Sequence, residues 1–498
     1  MNQSAAAPIQ AFIEGTSRPG AGAELPVIDP TSGRQIATLR EDSAADVDRA
    51  VAAACRAFAR SDWPRLGIAA RQEMLLRLHD AILAHVPELA ELECAALGVP
   101  MRDLLGMHLP RAAYNFRFFA EFIGQACGDV YDQTDGYRSL VLREPVGVAA
   151  LIAPWNAPCA LASMKIAAAL AFGNTCVLKP SEQTPLALAR LVEILHEAGL
   201  PPGVVNLVNG RGAVTGAALV DHPGVDLVSF TGGTETGRAI MAAAGRRLVP
   251  CTMELGGKSA NIVFASADYD RALDAALAAI FANNGQQCLA GSRILVEKPI
   301  AERFIADFTD RTRRIRIGDP RDTETELGPL ASAAQRARVL GYAKGAPAEG
   351  LTLLTGGGVP AGLPDRLAGG FFVEPVAALA PDNTARACRE EIFGPFVTIQ
   401  VFDGYDDAIG RANDTDFGLV SYVWSDHLPT VERATRDLRS GVVWVNTTMT
   451  RELRAPFGGY RNSGVGREGG EACQQFYTEA KTVTIPSRPT TSRRFGAG

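Results

Sequence analysis

The sequence predicts an α/β protein made of two doubly wound domains. Between residues 146 and 231, short buried-strand patterns alternate with helical ones through brief connections, as parallel βαβ units require. A second series of the same kind begins after Lys258. The chain has 498 residues, more than one ordinary core organises, so two or three domains are expected.

Taken in order, residues 44–60, 68–85 and 87–97 carry helical periodicity, the first two rich in Ala, Leu and Arg. Residues 146–152 read as a buried strand, 163–171 as a helix, 175–178 as a strand and 185–198 as a helix. A strand over 204–208, a helix over 213–221 and a strand over 227–230 complete the first series, which runs into Thr231-Gly-Gly-Thr-Glu-Thr-Gly237. The second series is 260–264, the 270–283 helix, 292–297 and 300–315, with later strands expected at 371–376, 398–402, 420–424 and 442–446. Only the tail 486–498 reads as loosely ordered.

Composition narrows the function. Hydrophobic residues make up 47% and charged residues 21%, ordinary for a soluble globular protein. A net charge of −6 gives no general attraction for nucleic acid or an anionic membrane. The N-terminus lacks the basic and apolar regions of a secretory signal. The apolar stretch 147–173 contains Pro154, Asn156, Pro158 and Lys165, which are costly in lipid, so no span is expected. Nine scattered cysteines with no CxxC pair point to a reducing, cytoplasmic setting, not a disulfide framework or a zinc site. The six histidines form no HxxxH or HExxH arrangement, so metal catalysis is not expected.

Cys288 lies in Phe281-Ala-Asn-Asn-Gly-Gln-Gln-Cys-Leu-Ala-Gly-Ser-Arg293, among amides and glycines. Upstream, Glu254 lies in Met253-Glu-Leu-Gly-Gly-Lys258. A thiol and a carboxyl in two such segments suggest a nucleophile and a base brought together by folding. A free cysteine is more often a small buried hydrophobe, but inert cysteines usually have apolar neighbours.

No GxGxxG follows the strand ending at Phe230; Gly232 and Gly237 give GxxxxG. A glycine turn that opens a helix can still receive a pyrophosphate on free N–H groups, although most such turns are only turns. In Leu178-Lys-Pro-Ser-Glu-Gln-Thr-Pro185, Lys179 and Glu182 sit at a strand's C-terminal end and could hold ribose hydroxyls. A carboxylate there repels a 2′-phosphate and favours NAD over NADP. The same segment reads equally well as a helix start capped by Ser181. In Ala153-Pro-Trp-Asn-Ala-Pro158, two prolines restrain the backbone around Asn156. A held amide suits a developing oxyanion, and equally a buried loop.

Pro154-Trp-Asn156, Lys179-Pro-Ser-Glu182, Phe230-Thr-Gly-Gly-Thr234, Glu254-Leu-Gly-Gly-Lys258, Gly285-Gln-Gln-Cys288, Glu391-Ile-Phe-Gly-Pro395 and Pro456-Phe-Gly-Gly459 occur in this order. Together they resemble the NAD(P)-dependent aldehyde dehydrogenase superfamily over roughly residues 25–485. The resemblance implies an aldehyde dehydrogenase-like fold. Its NAD-binding domain would occupy 1–122 and 146–255, its catalytic domain 256–454, and a small β oligomerisation element 123–145 and 470–490. It implies that Cys288 attacks an aldehyde, that Asn156 and the Cys288 N–H hold the oxyanion, and that Glu254 activates water and can deprotonate the thiol earlier. Lys165 matches a lysine with a structural or proton-relaying role. The implied NAD contacts are Ile152, Trp155, Lys179, Glu182, Phe230, Gly232, Gly233, Leu255, Glu391 and Phe393. Gly233 departs from the serine of many relatives and loses one side-chain hydrogen bond. A homodimer or homotetramer is expected.

The segments 109–117, 451–459, 464–470 and 476–479 resemble the branch that acts on muconic semialdehydes. A guanidinium binds a distal carboxylate in bidentate fashion. Arg111 and Arg454 are therefore the candidate clamps, with Arg451 and Arg117 in reserve, although a lone arginine is usually solvated. Betaine or aliphatic aldehydes are the alternative substrates. A CoA-acylating enzyme would generally lack Glu254, and a non-catalytic relative would lack the nucleophile or the base.

Overall fold

The computed structural model describes residues 8–489 and 495–496. Its first sheet has eight strands, in the order Gly464–Val465, Cys251–Glu254, Leu227–Thr231, Val148–Ile152, Thr175–Lys179, Val205–Leu207, Ala11–Ile13 and Thr16–Arg18. The five central strands are parallel, and antiparallel strands close both edges. Val148–Ile152 and Thr175–Lys179 are buried along their whole length, because helices cover both faces of such a sheet. The chain runs outward from Val148–Ile152 through the next two strands, then returns to its other side at Leu227–Thr231. Ligands bind beyond strand C-termini at such a reversal. The register sets these ends level: Ile152 pairs with Lys179 and Phe230, and Thr231 with Glu254.

The second sheet runs Thr352–Thr355, Val376–Leu379, Phe396–Phe402, Arg293–Glu297, Ala260–Val263, Val420–Trp424 and Val442–Val445. All its pairings are parallel except the first. A third sheet joins Thr478–Pro486, Tyr137–Pro145 and Val130–Asp132 in an antiparallel ribbon. That ribbon leaves Val130, Tyr131, Leu142 and Ile485 exposed.

Most expected elements lie within a few residues of those observed. Ala44–Arg60 is a helix over the expected span, and its start is fixed reciprocally by Ser43 and Asp46 in a capping box. The helix expected from Ser163 begins earlier, as Pro158–Ala171, since proline suits a first helical turn. The strand expected at 371–376 is not there; the strand is Val376–Leu379. Phe371 is tied instead to Pro30 and Leu330 by backbone hydrogen bonds, and Pro375 cannot donate to a ladder. The apolar run was a core-filling loop. Residues 490–494 and 497–498 of the expected loose tail lie outside the described residues, and its first residue ends the last strand. Among the described residues no helix is long and apolar enough to cross a membrane.

Asn174 holds the first sheet to its surroundings. Its Oδ1 accepts from Gly147 N–H at 2.9 Å, its Nδ2 donates to the Tyr477 carbonyl at 2.8 Å, and its own carbonyl accepts from the Trp63 indole at 2.9 Å. Asn174→Ala strands the buried Gly147 N–H and leaves the Tyr477 carbonyl only its 3.4 Å bond from Val146 N–H, and is expected to cost about 1–3 kcal/mol. A clear fall in the thermal midpoint checks this; an unchanged midpoint refutes it.

Candidate active site

Four strand ends of the first sheet open into one crevice. Val148–Ile152 delivers Pro154, Trp155 and Asn156, Leu227–Thr231 delivers Gly232 and Gly233, Cys251–Glu254 delivers Glu254 and Leu255, and Thr175–Lys179 ends on Lys179. From the second domain come Cys288 and the segment Glu391 to Phe393. Except for Lys179, these ends and segments line a cavity of about 170 Å³, together with Gln335 from the helix Ala333–Gly345.

Cys288 reaches this place through an unusual stretch of backbone. After the helix Tyr269–Phe281, Asn283, Asn284 and Gly285 all take positive φ, at 54°, 56° and 71°. Asparagine tolerates this region better than most side chains. At Gly285 a Cβ would lie 2.4 Å from the backbone of Gly394 and Pro395, so only glycine fits. Asn284 bonds Gly98, Pro329 and Gly328, and Asn283 Nδ2 donates to the carbonyls of Asn156 and Gln286, each at 2.9 Å. Asn156 Nδ2 donates to the Gln286 carbonyl at 3.0 Å, which leaves its second N–H for another acceptor. The Asn156 amide is thus held by the cysteine loop as well as by its flanking prolines.

Burial pushes the Cys288 thiol up to about 12, with Glu391 and Glu254 adding to the shift and Arg111 opposing it. Glu254 is buried, and its Oε1 has no hydrogen-bond partner. Burial raises its carboxyl well above the usual range, helped by Glu468 and opposed by Lys165, Arg451 and Arg467. Lys165, also buried, donates to Glu468 at 2.8 Å and to Ser229 at 2.9 Å. Glu391 accepts from Gly257 N–H at 2.9 Å, and burial raises it to about 7.

Of the remaining expected residues, Trp155, Gly232, Gly233, Leu255 and Phe393 line the same cavity, while Ile152, Lys179, Glu182 and Phe230 lie outside its lining. The helix Thr234–Arg246 starts after Gly233 with no side-chain cap, so its first N–H groups are left for a ligand. A Cβ on Gly232 would strike the Phe230 ring at 2.4 Å, while nothing lies within 4 Å of one on Gly233. Lys179 Nζ is buried 3.4 Å from Glu182 Oε2. Ser181 caps no helix, because Leu186–Glu197 starts later. Trp155 and Phe393 meet edge to face at 5.1 Å. Ile152, Phe230 and Leu255 are buried and pack in one hydrophobic cluster behind the glycine turn. An uncapped helix start, an open glycine face and a Lys–Glu pair fit the pyrophosphate and ribose of a dinucleotide.

The arginines divide. Arg111 is half-buried, and burial lowers its guanidinium to about 10, with Arg451 adding to the shift while Glu468 and Cys288 oppose it. Arg451 stacks 4.3 Å over the Phe457 ring, and its Nη2 lies 3.8 Å from Glu468. Its Nε and Nη2 are buried without hydrogen bonds. Arg454 stands apart from these two: its side chain is 75% exposed, and it spends its fork on Glu452 at 3.0 Å. Arg117 is exposed and paired with Glu121. Proximity in sequence suggested Arg454, but the turn after Arg451 points it outward.

Three residues were missed. Glu468 stands in the quoted glycine-rich segment 464–470, a setting like that of Glu254, and could have been found by that likeness. Gly458 matters for space: a Cβ there would lie 2.7 Å from Glu254 Oε1. Gln335, which bonds the Ile392 and Phe393 carbonyls, sits in a plain helix and carried no signal.

A thiol, a buried carboxyl and a held amide meet in one crevice of dinucleotide-binding type. The family model described as Aldehyde dehydrogenase family matches residues 18–483, and the chain belongs to that family. It is 40% identical to the 2-hydroxymuconic semialdehyde dehydrogenase of Pseudomonas sp. strain CF600, over 96% of this chain and 99% of that one. It is 41% identical to the betaine aldehyde dehydrogenase of Bacillus subtilis strain 168, over 93% and 94%. Its fold matches PnpE from Pseudomonas sp. WBC-3, solved with nicotinamide adenine dinucleotide, with a TM-score of 0.95, 42% identity and 98% and 99% coverage.

The space at Gly458 gives a test. Gly458→Ala displaces the Glu254 carboxyl and should lower kcat at least about tenfold, as loss of a general base does, with NAD affinity unchanged. An unaltered kcat would show that the glutamate does not need this space.

Proposed function

We propose that this aldehyde dehydrogenase oxidises, with NAD⁺, an aldehyde bearing a distal carboxylate, of the 2-hydroxymuconic semialdehyde type. The observation that carries the reading is Arg111 with Arg451: two desolvated guanidinium groups beside Cys288 and Glu254, one with buried donors left unsatisfied. A carboxylate would satisfy those donors. The relative of that name supports the reading. Betaine aldehyde fits less well, since Arg451 covers the Phe457 face and repels a quaternary ammonium group.

Cys288 Sγ attacks the carbonyl carbon. With the thiol raised to about 12, its proton must leave as the attack proceeds, and Glu254 is the adjacent base. The free Asn156 N–H, with the Cys288 backbone N–H, donates to the oxyanion of the resulting thiohemiacetal. Bound NAD⁺ supplies the hydride acceptor that converts this adduct to a thioester. Glu254 gives the thiol proton up to solvent, then takes one from the water that attacks the thioester and passes it to the departing sulfur, which releases the acid and restores the thiol. Lys165 acts behind Glu254 by fixing Glu468, whose charge helps to raise it.

For the cofactor, Lys179 and Glu182 take the adenosine ribose, and Gly232 and Gly233 the pyrophosphate. Glu391 and Phe393 take the nicotinamide end, with Trp155, Ile152, Phe230 and Leu255 as supporting walls. The first sheet then belongs to the NAD-binding domain and the second to the catalytic domain. The ribbon, with its exposed Val130, Tyr131, Leu142 and Ile485, is the oligomerisation element of a cytoplasmic homodimer or homotetramer.

Glu254→Gln should give one burst of NADH per site and then a steady rate lower by about 10²–10⁴. In the parent enzyme kcat should climb with pH well above the ordinary carboxyl range, because Glu254 works ionised and its pKa is raised. That climb should vanish in the glutamine variant. A burst with an undiminished steady rate would exclude the assigned base.

Arg111→Ala and Arg451→Ala should each raise KM for 2-hydroxymuconic semialdehyde about ten- to hundredfold, as expected for a lost charge-assisted pair, with little effect on hexanal. Arg454→Ala should change neither. Equal effects on the two aldehydes would remove the clamp.

A further inference from the structure

Glu93 is a carboxyl that the reaction described above does not use, and it is 1% exposed on the helix Val86–Leu97. Its Oε2 accepts the backbone N–H of Cys159 at 3.2 Å, in the first turn of the helix that follows Asn156. A carboxylate at a helix start is favoured by the free N–H groups there, so Glu93 fixes where this helix begins. That start sets the position of the Asn156 loop.

The other oxygen, Oε1, has no hydrogen-bond partner and faces His108 Nδ1 at 4.0 Å, itself buried and without one. A small rotation of the ring closes that gap to a hydrogen bond. His108 ends a π-helical turn, Leu104–His108, and leads into the helix Leu109–Ile123 that carries Arg111. Single π turns within helices recur at functional sites because they re-aim the residues that follow. The two helices are joined a second time where Asn115 Nδ2 donates to Ala160 O at 3.1 Å and to Ser163 Oγ at 2.9 Å.

We propose that Glu93 is a positioning residue of the aldehyde pocket: through Cys159 it sets the Asn156 amide, and through His108 it sets the Arg111 guanidinium, so one side chain fixes the spacing between the oxyanion donor and the carboxylate clamp. The proposal rests on the roles given above to Asn156 and Arg111. Glu93 has two oxygens in a rigid fork, one on the Cys159 N–H and the other turned to His108. Glutamine keeps both functions, since its oxygen accepts from Cys159 N–H and its amide donates to His108 Nδ1. Alanine keeps neither.

The test compares full-length Glu93→Ala, Glu93→Gln, His108→Ala and Arg111→Ala, with 2-hydroxymuconic semialdehyde and hexanal as substrates. Glu93→Ala should slow the NADH burst about tenfold with both aldehydes, the scale of a misplaced oxyanion donor, and should also raise KM for the carboxylated one alone. KM for NAD⁺ should not move. Glu93→Gln should restore both within about twofold, and His108→Ala should raise the carboxylated KM without slowing the burst. If Glu93→Ala lowers the thermal midpoint but leaves both readouts unchanged, the inference is overturned. If Glu93→Ala does not fold, His108→Ala decides: an unchanged KM ratio overturns the link to Arg111. Arg111→Ala separates the two levels, because its failure to discriminate the aldehydes removes the clamp itself, whereas its success beside a silent Glu93→Ala removes only the inference.

Discussion

The site depends on how closely the end of one sheet approaches two segments of the other. A Cβ on Gly256 would lie 2.2 Å from the Glu391 carboxyl, and one on Gly257 would lie 2.6 Å from the Cys288 carbonyl. Two successive residues without side chains therefore let Glu254, at the end of a strand of the first sheet, stand against the nucleophile held by the second. Gly458 does the same from a third direction, against Glu254 itself. Bulk at any of these points would separate thiol, base and amide, and a shift of about 1 Å is enough to cost two orders of magnitude in rate.

Closeness without water creates an electrostatic problem that the surrounding residues manage. Glu254, Glu391 and Glu468 are three acids near one thiol, and burial disfavours charge on each. Lys165 and Arg451 offset Glu468, whose carboxyl is held below its usual range despite burial. Glu254 has no cation in hydrogen-bonding contact and stays high. Environment thus moves two carboxyls of the same type in opposite directions, Glu468 down and Glu254 up. The same surroundings disfavour the Cys288 thiolate, whose pKa burial and the neighbouring Glu391 and Glu254 push up.

The parallel alternation of strands and helices was plain because the central strands are short and mostly apolar. Cys288, Glu254, Asn156, Lys179, Glu182, Gly232 and Glu391 announced themselves by polar or glycine neighbours where a core needs none. Phe371 and Phe372 misled, because an apolar pair looks the same in a strand and in a loop that plugs a core. Arg451 and Arg454 could not be told apart for a related cause: two arginines three residues apart look alike in sequence, and only the turn between them separates buried from solvated.

From its residues alone, the chain specified its architecture, the glycine turn of the crevice, and a thiol and a carboxyl as candidates for its chemistry, because local patterns of apolar period and glycine placement encode these. Folding decided which arginine is buried, which acid pairs with Lys165, and that burial raises Glu254 above an ordinary carboxyl. Those properties depend on distance and on exclusion of water between residues hundreds of positions apart, such as Lys165 and Glu468, and no linear pattern records such a separation.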